Sequence, residues 1–357
     1  MPGFFRAHAA YSYKSLKYWR VFRQTNTNCN KRPIICRANN SPHLKRAALN
    51  DGRRMRSAEM GGAHMKRNSR LQELVPKLVL APSFLIVLVF VYGFIIYTGV
   101  LSVTNSRMLP SYGFVGLSNY EKLWALPHWW RAITNLAIFA SLYIIICSVI
   151  GLFLAILLDQ KIRGEGFLRP IYLYPMALSF IVTGTAWKWF LDPGIGLEHT
   201  MRVWGWEGFT FNWIKSNTMA IYCLVIAAVW QSSGFVMAMF LAGLRGVDNE
   251  IIKAAQIDGA STSTIYRRII IPLMRPVFLS AFVVLAHLAI KAYDLVVALT
   301  GGGPGQATEL PATFMYSYTF TRNQMGIGAS SAIIMLVMIF SIIIPYLYSE
   351  IRGGARS

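Results

Sequence analysis

His287, Lys291 and Asp294 are ionisable residues set within an apolar stretch, Val277 to Leu299, where charge is costly. An unpaired Lys or Asp near the centre of a membrane-crossing helix costs about 2.5 to 3.5 kcal/mol or more, so such groups are normally paired or functional. Helical spacing of four and three places the three on one face, and Lys291 with Asp294 can form an internal pair. Two readings stay open, an ion pair that fixes packing near the outer end of a helix and a role in gating or in the passage of a solute. His287 reads as a hydrogen-bonded packing residue. A second interruption, Trp230, Gln231, Ser232, Ser233 and Gly234, lies in the apolar stretch Met219 to Leu244. Polar solutes are held by hydrogen-bonding side chains beside aromatic faces, which makes this cluster a candidate lining for a pathway. Small polar residues also pack membrane helices together, and the residue types alone do not separate the two roles.

The third polar segment, Glu250 to Pro276, reads EIIKAAQIDGASTSTIYRRIIIPLMRP and is set between two apolar stretches. Spacing predicts a short helix over 247–257 that presents Ile251, Ala254 or Ala255, and Ile257 or Asp258 on one face. Asp258 and Gly259 break it, and Ser261 is placed to cap a second helix through Ile271, with Tyr266, Ile269 and Ile270 on its apolar side and Arg267 and Arg268 turned toward water or headgroups. Pro272 ends that helix and Pro276 restarts the chain. Small side chains permit close approach to another protein's groove, whereas a partnerless amphipathic segment lying on the membrane has the same pattern.

Catalytic signatures are missing from the sequence. No His-Glu-x-x-His run occurs, no Ser/His pair on facing spans is evident, and Asp294 is essentially the only acid within a span. No phosphate-cradling loop occurs either, because GGGPG at 301–305 lacks the lysine and hydroxyl that hold phosphate and magnesium. Cys29 and Cys36 lie near the start of the chain, and Cys147 and Cys223 lie inside apolar stretches, without the paired spacing of a metal site. A membrane-embedded enzyme and a stand-alone secondary transporter are the alternative classes; the latter is expected to show two internal halves with interrupted helices in matching positions.

The elements that must position these residues follow from composition. Of 357 residues 55% are hydrophobic and 14% charged, with mean hydropathy +0.44, which places the chain among integral membrane proteins. Continuous apolar runs of about 20 residues imply helices rather than barrel strands. The expected spans are Val79 to Leu101, Leu136 to Leu158, Ile171 to Leu191, Met219 to Leu244, Val277 to Leu299 and Ile327 to Ser349, an all-α fold of six transmembrane helices. Most of the 35 Lys and Arg residues fall before Val79, in the loops 159–170 and 245–276, and in the C-terminal tail, so both termini are expected on the cytoplasmic side. The net charge of +20 is explained by this topology and by anionic lipid rather than by nucleic acid. Trp129, Trp130, Trp187 and Trp189 are expected to act as interfacial anchors.

The expected organisation is a basic extension over 1–75, a first helix with its outer loop over 76–130, a core over 131–350 that contains the loop 245–276, and a short tail over 351–357. The extension reads either as a targeting peptide or as an overlong gene start, with translation beginning at Met55, Met60 or Met65.

The order AAQIDGA, an aromatic at Tyr266, then Ile269, Pro272 and Pro276 resembles the cytoplasmic EAA loop of binding-protein-dependent ABC transporter permeases. Lys253 stands where that family usually has Glu, with Glu250 one turn earlier. The stretches LVVALTGGGPGQATELPATFMYSYTF, HLAIKAYDLVVALTGGGP, QMGIGASSAI and IPYLYSEIR resemble sugar permeases of the MalF-like branch, and most of all the glucose/mannose-type permeases. The resemblance spans Leu71 to Arg352 and is strongest from the fourth span onward. It implies a MetI-like permease fold in the cell inner membrane, a second MalG-like permease, two cytoplasmic ATPase subunits that use the ATP, and an extracytoplasmic sugar-binding protein. It further implies that Glu250, Lys253, Ala254, Ala255, Asp258, Gly259, Ala260 and Pro272 form the ATPase-coupling loop. On this reading the chain binds no cofactor itself.

Overall fold

A computed structural model describes residues 69–107, 111–160 and 164–354. The expected extension up to residue 68, with Cys29, Cys36 and the internal methionines, lies outside them, as do Lys161 and Arg163. The described residues up to Leu88 belong to one unit and those from Val89 onward to a second. The first contributes helix α1 (Ser69–Val87), which starts ahead of the expected span; the stretch Val79–Ser102 is long and apolar enough to cross a membrane.

The second unit is helical. It contains α2 (Gly93–Ser102), α3 (Ser118–Ala125), α4 (Pro127–Asp159), α5 (Glu165–Leu173), α6 (Phe180–Leu191), α7 (Leu197–Val203), α8 (Ala220–Arg245), α9 (Asn249–Ile257), α10 (Thr262–Ile265), α11 (Ile271–Leu273), α12 (Arg275–Ile290), α13 (Asp294–Leu299), α14 (Pro311–Tyr316) and α15 (Met325–Gly354). Alongside Val79–Ser102, the stretches Pro127–Asp159, Ala220–Arg245 and Met325–Ser349 could each cross a membrane, and two further bent pairs could each supply one more crossing. A crossing chain must satisfy its backbone polar groups internally, which is why the long apolar runs are helices.

The core is built on α8 against α4. Gly151 lets the two helices meet closely, since a Cβ there would lie 2.6 Å from a methyl of Val236. Phe139, Tyr143, Cys147, Leu224, Met237 and Phe240 are buried between them and their neighbours. A smaller core gathers Leu123, Trp129, Ala132, Phe314 and Tyr318. This corrects the anchor role expected of Trp129: its side chain is fully buried against Phe314, 5.1 Å between ring centroids, because α4 begins at Pro127 and carries Trp129 into the protein. Trp130 is exposed, as an anchor would be.

Two expected spans are not single helices. The third is bent by 98° between 166–177 and 180–191. Pro170 and Pro175 each lack an amide hydrogen, and Ser179 starts a new helix by accepting from the Ile181 N–H at 3.3 Å. The fifth stops at Ile290, and the chain resumes as α13 only at Asp294. Here α13 docks on α6 through Gly184, where a Cβ would lie 2.6 Å from that of Ala298. Lys291 and Asp294 therefore do not share a continuous helical face, and among the described residues no ion pair joins them. The glycines after α13 end it sharply: Gly301 and Gly302 take left-handed φ values of 66° and 91°, and the Gly301 amide closes on the Val296 carbonyl at 3.0 Å.

Candidate functional site: a coupling helix and a cavity at a broken span

At the end of α8, Asp248 caps α9 by accepting from the Glu250 N–H at 2.9 Å. Gly259, with φ of 80°, closes the helix. Its amide reaches the Gln256 carbonyl at 3.1 Å and the Ala260 amide reaches Ala255 at 3.0 Å, the paired bonds of a left-handed helix stop. Fixed at both ends, α9 turns Ala255 inward, with Ile252 and Ala260 packed on the core, and leaves Glu250, Ile251, Lys253, Ala254, Ile257 and Asp258 exposed. Ile251, Ala254 and Ile257 thus form the small apolar face that the spacing predicts, with Lys253 beside it.

Ser261 caps the second helix as expected, accepting from the Thr264 N–H at 3.4 Å. That helix is less regular than its sequence implies. After Ile265 it widens into a π turn over Tyr266–Ile270, where the Ile271 amide bonds back to the Tyr266 carbonyl. Pro272 does not end the helix; it sits inside the last turn, Ile271–Leu273, and the break falls at Met274, with a 64° bend into α12. The widened turn accommodates the missing Pro272 amide. Tyr266 donates its hydroxyl to Asp159 Oδ2 at 2.7 Å, which ties this helix to the end of α4. Burial, reinforced by the Asp159 carboxylate, pushes the Tyr266 phenol up to about 12, so it remains a hydrogen-bond donor at neutral pH.

The second feature is a cavity of about 170 Å³ at the break in the fifth expected span, lined by Phe139 and Tyr143 of α4, Phe180 of α6, Ala228 of α8, and Lys291, Tyr293 and Asp294. Lys291 and Asp294, both exposed, offer a donor and an acceptor on one wall. The rings of Phe139 and Tyr143 stack at 5.5 Å and 5°, and Tyr293 meets Tyr316 at 5.0 Å. Charged donors and acceptors among aromatic rings suit a polyhydroxylated solute.

The polar cluster of α8 packs against neighbouring helices. Gln231 donates through Nε2 to the Leu178 carbonyl at 2.8 Å, at the bend of the third expected span. The Ser232 hydroxyl accepts from Tyr143 at 2.7 Å. Gly234 lies against Tyr172, whose carbonyl would be 1.9 Å from any Cβ. Trp230 packs edge-on to Trp187 at 6.0 Å, and Ser233 is half-buried. These contacts brace a bent helix, and none of Trp230, Gln231, Ser232 and Ser233 lines the cavity. The aromatic wall was absent from the expected site, although the i, i+4 spacing of Phe139 and Tyr143 is a signal for it. The break that brings in Tyr293 depends on tertiary packing.

A sequence profile described as binding-protein-dependent transport system inner membrane component matches residues 147–352. A probable ABC transporter permease protein of Pyrococcus horikoshii is 40% identical over 82% of this chain and all of its own length. The xylose/arabinose import permease protein XacH of Haloferax volcanii is 34% identical over 76% of this chain and 86% of its own. The trehalose/maltose transport system permease protein MalF of Thermococcus litoralis is 30% identical over 76% of this chain and 91% of its own. The fold is that of a chain in a crystal structure of a bacterial ABC transporter for import of the acidic polysaccharide alginate, with TM-score 0.68 at 18% identity over 80% of this chain and 98% of that one. This protein is an integral membrane permease with the all-helical MetI-like fold, not an enzyme, and it belongs to the family of binding-protein-dependent transport system inner membrane components.

Proposed function

We propose that this chain is the permease subunit of an ATP-driven importer that carries a sugar, a monosaccharide of the glucose/mannose type. It crosses the plasma membrane six times, with both termini in the cytoplasm. Its partners are a second, MalG-like permease, two ATPase subunits and an extracytoplasmic sugar-binding protein. The ATPases consume the nucleotide and this chain holds no cofactor. The sugar class is supported by relatives named for xylose/arabinose and trehalose/maltose transport. Lys291 and Asp294, with the rings of Phe139, Tyr143 and Tyr293, form part of the sugar path.

The observation that carries this reading is α9: a short helix locked at both ends that holds Ile251, Ala254 and Ile257 outward. Docked in an ATPase groove, it passes the motion of the ATPases through Tyr266 and Asp159 to α4, which lines the cavity. Lys253 gives that contact a positive charge where the family pattern has a negative one.

Gly259→Pro tests the coupling role, because proline cannot reach φ of 80° and has no amide for the Gln256 carbonyl. The expected outcome is normal membrane insertion, loss of sugar uptake and ATP hydrolysis that no longer responds to the sugar-loaded binding protein. Normal uptake by this variant would sink the reading. Uptake of labelled glucose, mannose, xylose and maltose by a strain lacking only this gene identifies the sugar, and selective loss of a disaccharide would overturn the monosaccharide assignment.

A further inference from the structure

The connection between α6 and α8 lies at the opposite end of α8 from the coupling helix, since it feeds directly into Ala220. It folds as a self-contained hairpin. Gly196 begins it against the end of α6, where a Cβ would lie 2.3 Å from the Phe190 carbonyl. Glu198, buried at 8% exposure, accepts from Arg202 Nη2 and from the Phe211 amide at 2.9 Å, while Arg202 Nε donates to the Phe209 carbonyl at 3.2 Å. Phe211 stacks on Trp213 at 4.7 Å. Gly205, at φ of 97°, turns the chain after α7.

This fixed hairpin holds its largest apolar side chains outward. Trp204 is 73% exposed and Trp206 65%, with Val203 and Ile195 similarly bare, and neither indole N–H has a partner among the described residues. The patch continues onto exposed Trp189 and Phe190 at the end of α6, which is part of a bent pair apolar enough to cross the membrane. Exposed Lys188 and Lys215 flank it in sequence. Rings with an apolar body and a free N–H, at the end of a helix apolar enough to belong to a membrane crossing, match the headgroup layer of a bilayer.

We propose that residues 195–213 form an interfacial anchor, with Trp204 and Trp206 seated among the lipid headgroups and upper acyl chains of the leaflet opposite the coupling helix. The anchor holds the end of α6, and so one side of the bend in the third expected span, at a constant depth.

The test uses the transporter assembled with its partner subunits in phosphatidylcholine nanodiscs, whose acyl chains are either plain or brominated near the headgroup. The difference in tryptophan emission between the parent protein and a Trp204→Phe/Trp206→Phe variant isolates the two indoles. That difference signal is expected to fall at least about twofold on bromination and to be little changed by aqueous iodide or by saturating binding protein. A signal quenched by iodide and insensitive to bromine would place the rings in water and overturn the proposal. A signal shielded from both quenchers would mean that a protein subunit covers the patch, which overturns it equally. The experiment measures no transport, so it is independent of which solute is carried.

Discussion

The molecule breaks two of its expected spans, and the breaks are finished in opposite ways. At the bend near Leu178, the exposed carbonyl takes a hydrogen bond from Gln231, Gly234 fits against Tyr172, and Ser179 caps the following helix. At the break after Ile290, Lys291 and Asp294 are left exposed on the wall of a cavity with no ion pair between them. A break whose freed carbonyl is met by a neighbouring helix serves as architecture, because that hydrogen bond is spent on holding the bend. One that presents charged side chains to a cavity keeps its hydrogen-bonding capacity for a solute.

The largest effect is expected at the first break. In Gly234→Val the new Cβ would lie 1.9 Å from the Tyr172 carbonyl, a backbone atom that cannot swing aside. Overpacking of this kind costs about 3 kcal/mol or more, so little folded protein should remain in the membrane. Normal abundance and an unchanged Tm would mean that the bend is free to move. Gln231→Leu is milder: it leaves the Leu178 carbonyl without its donor, for about 1 to 3 kcal/mol. Its Tm should fall while the KM for sugar in the surviving protein stays the same. A changed KM at constant Tm would move Gln231 from the scaffold to the pathway and erase the contrast.

The sequence made some of this legible and not the rest, for physical reasons that differ by residue. The coupling segment is written locally: Gly259 and Ser261 are a stop and a cap whose effect depends on their own backbone, and the chain pattern gives both, whereas it misses the cap at Asp248, the π turn ahead of Pro272 and the break at Met274. The break after Ile290 is not written locally, since 277–299 is a continuous apolar run whose last part, α13, docks on Gly184, more than a hundred residues earlier. For the same reason Lys291 and Asp294 look like an i, i+3 pair in sequence but flank a break in the fold and form no ion pair. Trp129 shows the limit of composition: a tryptophan near a span end reads as an anchor until the start of α4 turns it inward.

The finest contrast lies in what Lys291 and Asp294 do for stability. If both face the cavity without pairing, Lys291→Met and Asp294→Asn should each leave Tm nearly unchanged, within about 0.5 kcal/mol, as for surface substitutions. Each should weaken sugar uptake by about tenfold, the loss of one hydrogen bond to a charged group. The double variant separates this reading from an ion pair. Independent groups give stability changes that add within about 0.3 to 0.5 kcal/mol, whereas a partly buried pair gives a coupling of about 1 kcal/mol or more. Coupling of that size would mean that the two residues close the break in the resting protein, and that the second break is braced like the first.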